Sequence, residues 1–149
     1  MEINIVPPHR KVSRAVTVAD YDRVIETEKA MRAWMLSKYS CVGLAHPQVD
    51  DQDPLAFFIT LEEPLKIILN PRIIFGSGMT ISSKEGCMTY PDKEHIYHDR
   101  HKAITVEFEV FKGKKLVKKK KLISGFLAVV YQHEIDHLNA KYCYDDGKS

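Results

Sequence analysis

Two histidines, a glutamate and an aspartate fall on a helix whose other residues are of the kind that exclude them. Leu122–Gln132 carries no charged residue, and His133-Glu134-Ile135-Asp136-His137 follows at once. Ser124 is placed to cap a helix of about 18 residues. Phe126, Val129, Val130, His133 and His137 recur at helical spacing and share one face. Leu127, Tyr131, Ile135, Leu138 and Tyr142 cover much of the other side. A helix that is apolar nearly all round is a buried one. The interior rejects imidazoles and carboxylates unless they are paired or bind metal. The fold must therefore be assembled around a polar centre.

The five residues form an HExxH pattern. Histidines four apart on a helix project side by side and can share one ion. Glu134 lies about 100° round from His133, so it can reach the space beside that ion without being a ligand. Two histidines do not complete a site. A glutamate far downstream is not available, because only twelve residues follow His137. A third histidine in HExxHxxGxxH spacing is not available either. Ala140 stands at the glycine position and Cys143 at the histidine position. Cys143 stays a minor candidate for the third ligand. The upstream candidates are Cys41, Cys87, His46, His95, His98 and His101.

The rest of the chain reads as one α+β domain over residues 1–149, with antiparallel strands packed around the HExxH helix and an N-terminal helix alongside. Asp20 is placed to cap that helix, which runs from Tyr21 to Lys38. Ser40–Gln48 reads as loop. Strands are expected at Ala56–Thr60, Leu65–Leu69, Ile73–Phe75, Met79–Ser83, Ile104–Val110 and Leu116–Ile123, with turns at Gly76-Ser77-Gly78 and Lys112-Gly113-Lys114. Lys plus Arg is 22 against 20 for Asp plus Glu, a balance that gives no reason to expect nucleic acid as the main partner. No apolar run approaches the roughly 20 residues of a membrane span. Three cysteines without framework spacing, and no secretion or import signal in the first twenty residues, point to thiols in the cytoplasm.

Three segments carry a family resemblance. Glu85-Gly86-Cys87-Met88-Thr89 resembles the EGC-hydrophobic-Ser/Thr segment of peptide deformylases. Val42-Gly43-Leu44-Ala45-His46-Pro47-Gln48 is similar to their GLAxPQ segment. His133–His137 with Leu138 resembles their HExDHL helix. The three occur in the family's order with similar gaps, and the opening PPHRKVSRAV is similar too.

The resemblance implies metal-dependent removal of the formyl group from the N-terminal formyl-methionine of nascent chains, with release of formate. It implies one divalent ion per chain, bound by Cys87, His133 and His137. Iron(II) is favoured, with zinc, nickel and cobalt suited to the same donors. It makes Glu134 the general acid/base, and Gln48 and the Met88 N–H the donors to the formyl oxygen. Phe126, Val129 and Val130 would line the methionine pocket with Val42 opposite, although ordinary core packing gives the same pattern. Gly43, Leu44 and Gly86 would meet the peptide backbone, the glycines allowing it close. Asp136 is expected near the histidines, with Arg100 as its partner.

Cys41 and His46 depart from the family, standing where glycine and a small residue are usual. Cys41 would narrow the pocket mouth or expose a thiol; His46 would contact the peptide or face solvent. The tail is too short for a further helix of typical length. Lys112–Lys121 holds seven lysines. It reads as a charged edge that blocks sheet association, or as a patch for transient ribosome contact. A monomer is expected. The rival readings are a small zinc endopeptidase and a catalytically silent, peptide-binding metal protein.

Overall fold

The computed structural model describes residues 1–38 and 41–146. In chain order the elements are helix α1 (Tyr21–Leu36), strands β1 (Gly43–Ala45), β2 (Phe57–Thr60), β3 (Lys66–Gly76), β4 (Thr80–Glu85), β5 (Ile96–His101), β6 (Ala103–Lys112) and β7 (Lys115–Ser124), helix α2 (Gly125–Leu138) and the single turn α3 (Cys143–Asp146). Five strands form one sheet in the order β1-β2-β3-β6-β7, and β4 and β5 form a separate pair. All named pairs are antiparallel.

The larger sheet lies between the two long helices. Phe58, Ile68, Ile104, Val106 and Ile123 pack with Ala128, Tyr131, Ile135 and Leu138 of α2. Leu44, Phe57, Ile59 and Leu69 pack on the opposite face with Val24, Met31 and Met35 of α1. β2 is buried on both faces, which is why its sequence is a continuous apolar run rather than an alternation. β7 is an edge strand, and all seven lysines of Lys112–Lys121 are exposed. Lys118 and Lys120 stand opposite Glu109 and Glu107 of β6.

Several boundaries differ from the sequence reading. Ser40 of the expected loop lies outside the described residues. The remainder of that loop contains β1 and a tight turn at His46–Gln48. Gly76-Ser77-Gly78 does not close a hairpin. The Ser77 N–H donates to Ala103 O and the Lys102 N–H to Met79 O, so the chain leaves the large sheet there and starts the small one. β5 has no counterpart in the sequence reading, because its outward residues are polar and its one fully buried residue is Arg100.

α2 has 14 residues, not about 18. It stops because Ala140 takes φ 61°. The Lys141 N–H then donates to Asp136 O and the Ala140 N–H to His137 O, the paired bonds of a Schellman end. Tyr142 therefore falls beyond the helix. Asp20 does sit at the start of α1, but its carboxylate takes the Thr17 N–H and the Arg14 guanidinium instead of a helix amide.

Candidate metal centre

α2 presents a second face to a cavity of about 390 Å³. Val129 and Val130 are buried in its wall, and Phe126 stands exposed at its mouth. Gly43 lines it from β1 and Val42 from the position just before, and Gly86, Cys87 and Met88 line it from the turn after β4. Leu44 does not line it. Its side chain is fully buried on the α1 side of the sheet, because successive strand residues point to opposite faces. Only its backbone could serve a peptide.

Cys87 and His133, both in the cavity wall, and the buried His137 bring one donor atom each within 4.8 Å of one another. Cys87 Sγ lies 3.5 Å from His137 Nε2. The far side of each ring is fixed. His137 Nδ1 is 3.1 Å from Lys141 O, which can only accept. Burial pushes this imidazole well below its usual value, so it is neutral with its proton on Nδ1. The turn at Ala140 thus brings Lys141 back to orient a histidine one residue before the helix ends.

His133 Nδ1 is 2.8 Å from Glu85 Oε1. Burial alone would lower His133; the Cys87 thiol and the Glu85 carboxylate hold it above its usual value. Glu85 in turn takes two bonds from Arg100, at 2.8 and 2.9 Å. Burial would raise its carboxyl, but Arg100 and His133 bring it down to about 2. Arg100 Nη1 reaches Asp136 Oδ2 at 2.7 Å, the pairing expected from sequence. The role of Glu85 was not read from sequence, although its place beside Cys87 was the available signal.

Glu134 is buried, and among the described residues its Oε1 has no hydrogen-bond partner. Burial, then the nearby Glu85 and Asp136 carboxylates, raise it, partly offset by His133 and Arg100; the carboxyl is pushed up to about 7. It reaches the cavity past Gly43, where an added Cβ would stand 2.7 Å from Glu134 Oε2. Gln48 is oriented by the Ala45 N–H, which donates to its Oε1 at 2.9 Å. Its amide nitrogen therefore points the other way, donating to Thr89 Oγ1 at 3.2 Å and to Cys87 Sγ at 3.6 Å.

The remaining candidates lie elsewhere. His46 neither contacts the cavity nor faces solvent. It is buried, accepts the Leu55 N–H on Nδ1 at 2.8 Å and stacks on Phe57. Cys41 lines the cavity, but its thiol is buried and pushed up to about 12 by that burial. Cys143 lies within 4.8 Å of a Glu85 oxygen and a His133 nitrogen. That carboxylate is already occupied by Arg100 and His133. On β5 His98 is half-buried and His101 exposed, and His95 stands at the cavity mouth.

Residues 5–149 match the polypeptide deformylase family. The chain belongs to that family. It is 33% identical to the peptide deformylase of Halalkalibacterium halodurans, over 93% of this chain and 84% of that protein. It is 30% identical to peptide deformylase 2 of Shewanella oneidensis, over 84% and 72%. The fold matches the crystal structure of peptide deformylase from Thermotoga maritima with a TM-score of 0.85 and 28% identity, covering 100% of this chain and 99% of that one. The α+β fold is thus the family's, and deformylation is the activity that goes with it. Among the described residues, no helix is long and apolar enough to cross a membrane.

Proposed function

We propose that Cys87, His133 and His137 hold one divalent metal ion, and that the chain uses it to hydrolyse the formyl group from N-terminal formyl-methionine, releasing formate. The observation that carries this reading is the convergence of the three donors beside a buried carboxylate oxygen that has no partner among the described residues. A thiolate and two neutral imidazoles suit iron(II), zinc, nickel or cobalt, and the family resemblance favours iron(II). Bound there, the ion supplies Lewis acidity, polarising a carbonyl and lowering the pKa of water towards about 7.

The chain's own residues do the rest. Glu134 takes a proton from the attacking water and later gives one to the departing amine. A carboxyl pushed up to about 7 can do both near neutral pH. The Gln48 amide, held by Ala45 with its N–H groups turned towards Cys87, donates to the oxygen that gains charge, with the Met88 N–H as its companion. Such a donor is worth roughly 3–4 kcal/mol when well placed. Val129 and Val130 accept the methionine side chain, with Phe126 and Val42 at the entrance. Gly43 and Gly86 let the peptide backbone approach the edge of β1.

The same reading places the activity in the cytoplasm, with the chain acting as a monomer. Transient contact with ribosomal RNA belongs to it, supported by the exposed lysines of β7. The test is formate release from formyl-Met peptides by anaerobically metal-loaded protein. Formate should appear only with metal and only from formylated peptides. Cleavage of internal peptide bonds instead, or peptide binding without formate, would replace this reading with one of its rivals.

A further inference from the structure

The cavity mouth is lined by three exposed basic side chains: Lys84 on β4, and Lys93 and His95 in the segment before β5. The carboxylates on its wall, Glu85 and Glu134, are buried, and Glu85 is bonded to Arg100 and His133. Asp92 and Glu94 flank Lys93 in sequence but are not part of the wall.

Lys93 differs from the chain's arginines. All six of those engage carboxylates. The Lys93 ammonium instead stands 4.9 Å from the centroid of the Tyr90 ring and 5.0 Å from that of Tyr144. Among the described residues it has no ion pair. Lys84 lies 5.9 Å over Tyr97. Aromatic faces hold an ammonium in place without cancelling its charge. The tyrosines therefore fix a positive charge at the entrance and leave it for an incoming group.

We propose that Lys93 makes the site select peptides that carry a carboxylate downstream of the formyl-methionine. The inference rests on the deformylase reading and names a substrate preference within it. The carboxylate can belong to an Asp or Glu side chain or to the C-terminus of a short peptide. Exposed ion pairs are worth up to about fivefold each and fade with salt. The preference should therefore be modest and salt-sensitive, and should act through KM.

The experiment measures kcat/KM on metal-loaded protein. Formyl-Met-Asp-Ala and formyl-Met-Ala-Asp amides are compared with their Asn twins, and formyl-Met-Ala-Ala as free acid is compared with its amide. At least one carboxylate peptide should exceed its uncharged twin by about threefold at low salt, and by less than about 1.5-fold at about 0.5 M salt. The pair that shows it identifies the source of the carboxylate. Lys93→Gln should remove the preference, Lys93→Arg should restore it, and Lys119→Gln on β7 should leave it in place. Calorimetric binding of the deformylated peptides should show the same ratios, so the proposal is tested even if no formate is released. Ratios near one in the wild type, or a preference that survives Lys93→Gln, would overturn it. Absence of formate from every peptide would count against the deformylase reading alone.

Discussion

Gly43→Ala tests whether the position of Glu134 controls the rate. The new Cβ would lie 2.7 Å from Glu134 Oε2 and 3.1 Å from both Cδ and Cγ. Ordinary contact begins near 3.4 Å, so the carboxyl oxygen must retreat by about 0.7 Å. Turning the carboxyl about its last bond does not relieve the Cγ contact, so the whole side chain must shift. A 1 Å misplacement of a reacting group costs on the order of 10²-fold. Formate release should accordingly fall roughly 10- to 10²-fold. The metal should stay, because the three atoms nearest the new methyl all belong to Glu134 and none to a proposed ligand. Overpacking costs about 1–3 kcal/mol, partly offset by roughly 0.4–1 kcal/mol from the stiffer unfolded chain. The net loss in urea unfolding should be about 1 kcal/mol. Gly78→Ala is the control, since nothing lies within 4 Å of its added Cβ. A Gly43→Ala protein within twofold of wild-type rate, or one that has lost its metal, would refute the reasoning.

Three further outcomes follow from the geometry. Cys87→Ala should lose metal while Cys143→Ala keeps it, as read by metal analysis after gel filtration; the reverse would move the centre to the Glu85–His133–Cys143 group. Glu85→Gln should weaken metal binding about 10–100-fold in a chelator competition. Glu85→Ala should in addition lose about 3–5 kcal/mol of stability, because Arg100 is buried; unchanged metal affinity in both variants would deny Glu85 its role behind His133. Burial holds His46 down at about 4, whereas the unfolded chain takes up that proton near 6.5. Its contribution is whole above pH 6.5 and drains as the pH falls to about 4. Between pH 6.5 and 5 the wild type should lose about 2 kcal/mol more than His46→Asn, which keeps an acceptor for the Leu55 N–H. Parallel pH profiles would contradict this.

The polar helix and the EGC segment made the centre legible in sequence, because helical spacing fixes which side chains converge. The apolar run Ala56–Thr60 also announced a strand. Four things were hidden for physical reasons. β5 buries a guanidinium rather than an apolar row, so its alternation carries no hydrophobic signal. Leu44 belongs to a motif that borders the cavity, yet strand alternation sends its side chain to the other face. His46 read as a peptide contact or a solvent-facing side chain because its partner, the Leu55 N–H, is nine residues away across a turn. The length of α2 was set by a left-handed residue that is alanine rather than glycine, so the usual stop signal was missing.

The most direct test of the central account is Glu134→Gln, with metal content and formate release measured on the same sample. The amide keeps the size of the side chain and removes the proton carrier. Metal should stay near one ion per chain, as in the wild type. Formate release should fall by about 10⁴-fold or more, since one group serves two proton transfers. Activity within about tenfold of wild type would show that another group moves the proton, and metal lost together with activity would show that Glu134 is itself a ligand.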